Sequence, residues 1–369
     1  MQLLVGPAVP LPVPAAVLDA LREVTIMSGA DGTQSGFELV FDVPERSPLT
    51  TLFLLTGGAG IPIMRVVVAV TVRGTTEVLI DGVMTHHEIA PGGPTSTMRV
   101  KGKDLTALMD IVPLDGLPYP AMPPAVRVLT VLAKYAALGC VPVVIPSIVS
   151  DLPLPIERIP RQQGTDYAYV KALADQAGYI FAIDPGPVPG TSRAYWGPQI
   201  RIGTPQPALN AGLDGPQDNV TSLRFTFDKE RKELPIVFVQ EPYSKAPVPI
   251  PIPDVTPVNP PLGAVPPLPP KLTFLTDTAK RSPLSAVMAG IAYAATHSDS
   301  VFATGSLDVA RYGRVLRPRQ LVGVRGAGDA FNGLYYVSSV THTLKRGSFT
   351  QSFSLARNAL LPTLPVVPV

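Results

Sequence analysis

Cysteine is nearly missing from this chain: Cys140 is the single one in 369 residues. That excludes an intrachain disulfide and any zinc cluster built on cysteine, and it leaves the redox compartment open. Charge is scarce too. Charged residues make up 16% of the sequence, against about 25% in typical soluble domains. The 30 basic and 28 acidic side chains leave a formal charge of +2, so no global field draws the chain to nucleic acid or to an anionic membrane. Little charge beside 46% hydrophobic content points to surface that is covered in an assembly. The alternative is a large proline-rich β protein standing alone.

Long apolar runs of the kind that cross a membrane are also lacking. The N-terminal MQLLVGPAVPLPVPAAVLDALREV has no basic leading region, and Pro7, Pro10, Pro12 and Pro14 break any helix in it. The uncharged stretch from Ser47 to Met64 carries Gly57, Gly58 and Gly60. Neither a secretion signal nor a membrane anchor is expected.

What the chain does contain is strand periodicity. FELVFDV (37–43) sets Phe37, Leu39, Phe41 and Val43 on one face. RVVVAVTVR (65–73), TEVLIDG (76–82) and TMRVKGKD (97–104) continue the pattern, with a tight hairpin at Gly74-Thr75, and together suggest a small barrel or sandwich. KDLTALMD (103–110) fits a short helix facing Leu105, Leu108 and Met109 inward.

From Pro123 the period becomes helical: Val126, Leu129, Leu132, Ala133 and Ala136 form the expected inner face of a helix ending at Gly139. TDYAYVKALADQAGY (165–179) predicts a second helix, capped by Thr165 or Asp166, with Tyr167, Val170, Ala174 and Ala177 inward and Gly178 at its end. YIFAID (179–184) returns to strand, which makes the middle region α+β. Between Pro242 and Pro270 lie 12 prolines in 29 residues, read as an exposed polyproline II arm. A helix near Pro283 to Ala295 precedes the last strands.

Catalytic motifs are absent. The chain has no G-x-S-x-G, H-E-x-x-H or G-x-x-x-x-G-K-[ST]. His86 and Glu88 share a strand face as H-x-E, but the cysteine pair of a zinc deaminase is missing, and a cross-strand pair accounts for them better. LTGGAGIP (55–62) and VRGAGDAFNG (324–333) read as turns between strands rather than anion cradles. The acids are scattered, so a glycosidase dyad has no support in the sequence. The run ARYGRVLRPRQLVGVRG (310–326) gathers Arg311, Arg314, Arg317, Arg319 and Arg325. These arginines either line a channel or meet a neighbouring subunit, or they form a solvated loop satisfied by local acids. Stacking aromatics for a single-stranded nucleic-acid groove are lacking apart from Tyr312, so no specific nucleic-acid binding is expected.

Two stretches carry a family resemblance. TDYAYVKALADQAGYIFAID (165–184) and GRVLRPRQLVGVRGAGDAFNGLYYVSSVTHTLKRGSFTQSFSLARN (313–358) resemble the baseplate hub proteins of contractile phage tails, the late control gene D family, and the N-terminal part of type VI secretion spike proteins. Weaker likeness lies in VLDALREVTIMSGADGTQSGFELVFDV and in GVMTHHEIAPGGPTSTMRVKGKDLTALMD (82–110). The resemblance implies a β-rich α+β fold with two tube-like antiparallel β-barrel domains, at 1–117 and 206–369, around an inserted α+β domain at 118–205, with a proline-rich insertion at 242–272. It also implies a homotrimer of pseudo-sixfold character joining a central spike to the tail tube. The expected partners are a separate trimeric spike protein, a hexameric tail tube or tube-initiator protein, and baseplate wedge proteins. Assembly is expected in the cytoplasm, into a virion tail or an injection particle, with no cofactor and no catalytic residue. A cell-wall-degrading tail hydrolase and a polyproline-presenting adaptor are the competing classes.

His342 tests the structural reading. It sits in LYYVSSVTHTLKRGSFTQSFSLAR (334–357), read as two strands turned at Lys345-Arg346-Gly347, on one face with Val340 and Leu344 and with no nucleophile in register. His342→Ala is expected to weaken assembly in a sizing experiment and to abolish no chemical step.

Overall fold

Alternation of apolar residues builds the first part of a sheet in this computed structural model, which describes residues 1–7, 9–29, 34–44, 63–92, 95–147, 159–212, 217–241, 246–253, 259–276 and 283–363. Strands β1 (Gln2–Gly6), β2 (Leu11–Pro12), β3 (Leu21–Ser28), β4 (Gly36–Pro44), β5 (Arg65–Val72), β6 (Thr75–Ala90) and β7 (Thr95–Asp104) lie side by side in the order β3-β4-β7-β6-β5-β1-β2. Phe37, Leu39, Phe41 and Val43 on β4 are all buried, as the alternation predicts. Arg73 and Gly74 form the β5–β6 turn with φ of 47° and 84°, the left-handed pair that a two-residue hairpin requires. The short helix after β7 is confined to Thr106–Met109, because β7 runs on to Asp104.

The middle region has a sheet and a core of its own. Strands β8 (Cys140–Val144), β9 (Ile180–Pro185) and β10 (Ser192–Gly197) pair in the order β8-β10-β9. Against them pack the helices Pro124–Ala133 and Asp166–Ala177, around the fully buried Trp196. Thr165 caps the second helix, its hydroxyl accepting from the Ala168 amide at 3.2 Å. Gly178 ends that helix at φ 65°, and a Cβ there would stand 2.5 Å from the Ala292 Cα. Glycine is therefore needed at 178 both for the turn and for the close approach.

The first of these helices is rotated from the expected phase. Arg127, Val128, Val131 and Leu132 are buried, whereas Val126 and Leu129 are each 42% exposed. Apolar residues occur on both sides of this helix, so periodicity does not choose between them. The Arg127 guanidinium donates to the Tyr169 hydroxyl at 3.0 Å and is carried inside with it.

The last part contributes β11 (Gln206–Asn210) and β12 (Val220–Phe227), then a small sheet of β13 (Glu233–Gln240), β14 (Pro247–Pro251) and β15 (Lys271–Leu275), and finally β16 (Val301–Asp308), β17 (Leu321–Arg325), β18 (Gly333–Lys345) and β19 (Ser348–Arg357). The described part of the expected arm is largely exposed but not free, and residues 242–245 and 254–258 of it lie outside the described residues. Pro247–Pro251 is an edge strand of the small sheet, and Ile252, Asn259 and Leu262 are buried. Prolines at 247, 249 and 251 alternate with Val248 and Ile250, so every second residue keeps the amide that an edge strand offers its neighbour. The segment then returns to the chain's own β19 end: the Leu262 amide donates to Asn358 Oδ1 at 2.8 Å, and Val265 bridges Leu360.

Strand β18 joins the two β-rich ends. One side of it pairs with β19. The other side pairs with β17 over Gly333–Tyr336 and with β3 over Val340–Lys345. The result is one 13-stranded sheet, and one hydrophobic core that holds Val24, Ile26, Leu39 and Phe41 together with Val340, Phe353 and Leu355. Arg346 and Gly347 make the β18–β19 turn, Gly347 at φ 76°. Ile26, fully buried beneath the β3–β18 seam, is the side chain that tests this union. Ile26→Ala is expected to cost about 2–5 kcal/mol, seen as a lower urea midpoint by far-UV circular dichroism.

Candidate functional site

Three parts of the chain meet beside this seam, and a chain poor in charge concentrates charged side chains there. Arg65 on β5 and Asp81 on β6 form a bidentate pair, Nε to Oδ1 at 2.6 Å and Nη2 to Oδ2 at 2.7 Å, with both side chains buried. The pair is tied across to the α+β region: Arg65 Nη2 also donates to the Gly190 carbonyl at 3.0 Å, and the Ser192 hydroxyl donates to Asp81 at 3.4 Å. Such a pair costs desolvation, which its added hydrogen bonds offset; it specifies a docking geometry more than it adds stability.

The arginine run supplies the next two links. Arg317 donates from Nε and Nη2 to Glu77 at 3.0 and 2.8 Å, and the Gln206 side chain holds the Arg317 backbone on both its amide and its carbonyl. Arg319, with φ at 59°, pairs with Asp184 of β9 and donates to the Gly29 carbonyl after β3. Asp184 also receives Arg193 at 3.3 Å. The acids that satisfy this run are thus remote in sequence, not local. Of the other predicted contact residues, Arg311 is exposed and donates to the Asp218 carbonyl at 2.6 Å, and Arg314 is exposed. The structure brings Arg317 and Arg319 together on the junction and leaves Arg311 and Arg314 on the surface.

Between these links opens a cleft of about 340 Å³, with Glu77, Asp184, Arg193 and Arg317 at its walls and Leu316 and His342 among its lining. His342 is buried on β18, opposite Ile26 and Gln351. The Gln351 amide accepts from the Leu316 N–H at 2.9 Å and donates to the Leu316 carbonyl at 2.9 Å, and its Nε2 stands 3.0 Å from His342 Nδ1. That NH₂ group forces Nδ1 to accept, so the imidazole proton sits on Nε2. Burial pushes the His342 pKa down to about 4. The ring is a neutral rung of the sheet, as its place in the sequence indicates.

The remaining candidates do not converge. His86 faces Lys101 and Glu88 faces Arg99 across β6 and β7, the expected cross-strand pairing. VRGAGDAFNG is the turn between β17 and β18, with Gly326, Gly328 and Gly333 at positive φ. LTGGAGIP lies outside the described residues. Burial pushes the Cys140 thiol up to about 11, which keeps it protonated. Among the described residues no three His, Cys, Asp or Glu side chains gather as a metal site, and no helix is long and apolar enough to cross a membrane. Sequence reasoning missed the Arg65–Asp81 pair, although Asp81 in VLIDGV carried a signal: it is a lone charge inside an apolar strand.

Solved structures share this fold over nearly the whole chain. The tail protein of Neisseria meningitidis MC58 matches with a TM-score of 0.62 at 12% identity, covering 97% of this chain and 97% of that one. The 43 kDa tail protein of prophage MuSo2 from Shewanella oneidensis matches with a TM-score of 0.60 at 13% identity, covering 97% and 99%. The E. coli c3393 protein, a component of the type VI secretion system with structural similarity to the T4 bacteriophage tail proteins gp27 and gp5, matches with a TM-score of 0.54 at 12% identity, covering 95% and 78%. No family model matches the chain, and no curated protein matches its sequence. The chain has the β-rich α+β fold of phage tail proteins.

Two outcomes follow from the junction. Arg65→Ala leaves the Asp81 carboxylate buried without its partner, and should cost about 3–5 kcal/mol in chemical denaturation. His342, with its folded-state pKa below the ordinary 6.5, contributes fully above pH 6.5; its contribution falls as pH drops toward 4, where the unfolded chain already binds the proton. His342→Phe should flatten the stability profile between pH 6.5 and 4, a slope worth on the order of 3 kcal/mol in all.

Proposed function

We propose that this protein is a structural hub of a contractile tail or of a phage-derived contractile injection system. Three copies form a pseudo-sixfold ring that joins a separate trimeric spike protein to a hexameric tail tube or tube-initiator protein, with wedge proteins around it. The observation that carries this reading is the two-way coverage, 97% of both chains, between this fold and that of the Neisseria meningitidis MC58 tail protein. The c3393 protein extends the same fold to a component of the type VI secretion system.

The physical character of the chain supports the reading. The buried Arg65–Asp81 pair, with its bonds to Gly190 and Ser192, and the Arg319–Asp184 and more exposed Arg317–Glu77 pairs clip the three parts of one subunit together. Its charge content of 16% suits surfaces that meet other subunits. Arg311 and Arg314, exposed beside the junction, are assigned to contacts with a neighbouring subunit or with the lumen. Assembly takes place in the cytoplasm, and the finished particle is a virion tail or an injection machine.

Light scattering on the purified chain should give the mass of three copies, alone or with its spike or tube protein. A stable monomer that binds neither overturns the ring. Peptidoglycan incubated with the protein should remain intact; turnover above that of a mock purification would replace the structural reading with that of a hydrolase.

A further inference from the structure

The arm between Tyr312 and β17, which carries Arg317 and Arg319, is fastened along its length, and at one fastening a proton changes the bonding. Leu316 is fully buried there, and both of its backbone groups go to Gln351: Oε1 accepts the Leu316 N–H and Nε2 donates to the Leu316 carbonyl, each at 2.9 Å. A backbone N–H beside a backbone carbonyl admits that amide in one orientation only. The other hydrogen of Nε2 is left for His342 Nδ1, 3.0 Å away. Elsewhere Gln206 clasps Arg317, and the Val337 backbone bonds Arg319 and Gln320.

A proton on Nδ1 sets donor against donor at this contact. Turning the Gln351 amide over would offer its oxygen to the imidazolium. It would also place that oxygen against the Leu316 carbonyl and the NH₂ group against the Leu316 N–H. One amide therefore serves a neutral His342 and Leu316 together, or an imidazolium alone.

The charges around the ring do not relieve this choice. On β19 it meets Gln351 and the Phe349 ring, 6.2 Å away between centroids, and on β3 it faces Ile26. Glu23 and Lys345, further along β3 and β18, pair with each other at 3.5 Å. In the cleft, Glu77 of β6 holds Arg317, while Asp184 of β9 holds Arg319 and Arg193 of β10. Asp104, at the end of β7, accepts from the Ser35 and Thr106 amides and lies in the field of Arg319. Each of these acids already has its partners, and none is set to receive an imidazolium.

We propose that His342 is the proton sensor of a latch. Uptake of one proton at Nδ1 breaks the Gln351 grip on Leu316, loosens the arm through Arg317 and Arg319, and opens the cleft beside the α+β region while the rest of the fold holds. Arg319 is poised for release, since its φ of 59° is a left-handed conformation that a residue with a side chain keeps only under restraint. Burial, which pushes the ring down to about 4, keeps the latch closed through neutral pH and makes acid the signal. An opened arm returns the ring toward its ordinary 6.5, so the open form binds the proton more tightly and falling pH favours it.

Hydrogen exchange at the Leu316 amide reads the latch directly, with labelling times scaled to the intrinsic rate at each pH. From about pH 7 to about pH 4, Leu316 protection should fall on the order of a hundredfold while β4 keeps its own. That is the factor by which a ring of ordinary pKa outbinds one near 4 at the lower pH. His342→Asn places a neutral carbonyl oxygen where Nδ1 accepts and cannot take up the proton, so it should keep Leu316 protected at both pH values. Unchanged protection in the wild type, or a loss shared by β4, overturns the latch. So does an equal loss in His342→Asn, which would assign the release to the carboxylates. Should His342→Asn misfold by far-UV circular dichroism, the wild type decides. One of its four histidine rings must titrate by NMR at the midpoint of Leu316 release, and the absence of such a signal overturns the latch.

Discussion

Backbone hydrogen bonding along one strand governs this molecule. β18 spans Gly333–Lys345, longer than either neighbour on its far side, so β17 and β3 must share that edge. A strand edge left unpaired inside a protein would strand its amides and carbonyls away from water. The shared edge therefore binds the first 28 residues to the last third of the chain and fuses what would be two cores into one. His342 and Ile26 lie within that seam, and Gln351 ties it to Leu316.

The junction charges follow from the same arrangement. The α+β region is held by the Arg65–Asp81 pair through Gly190 and Ser192 and by the Arg319–Asp184 pair, while Arg317–Glu77 ties the last part of the chain to β6. Apolar packing alone would tolerate small slides and rotations; paired charges with defined donor and acceptor atoms do not.

Much of the fold was legible because its causes are local. The FELVFDV alternation, the Thr165 cap with Gly178 at the other end, and the turn before Ser348 each depend on neighbouring residues. The phase of the 124–133 helix was not legible, since it turns on the hydroxyl of Tyr169, 42 positions beyond Arg127. Proline density hid β14: composition argues against a strand, whereas only the alternation of the prolines reveals an edge. The arginine run stood out from 310 to 326, yet its partners could not be read, because Glu77 lies 240 residues before Arg317.

The central claim is that copies of this chain build a ring of pseudo-sixfold appearance from threefold assembly. Electron-microscopy class averages of the purified assembly, or of the particle that contains it, view that ring end-on. The account predicts a closed ring of three copies with six similar lobes around an open centre. Isolated single copies, or a ring with any number of copies other than three, would contradict it.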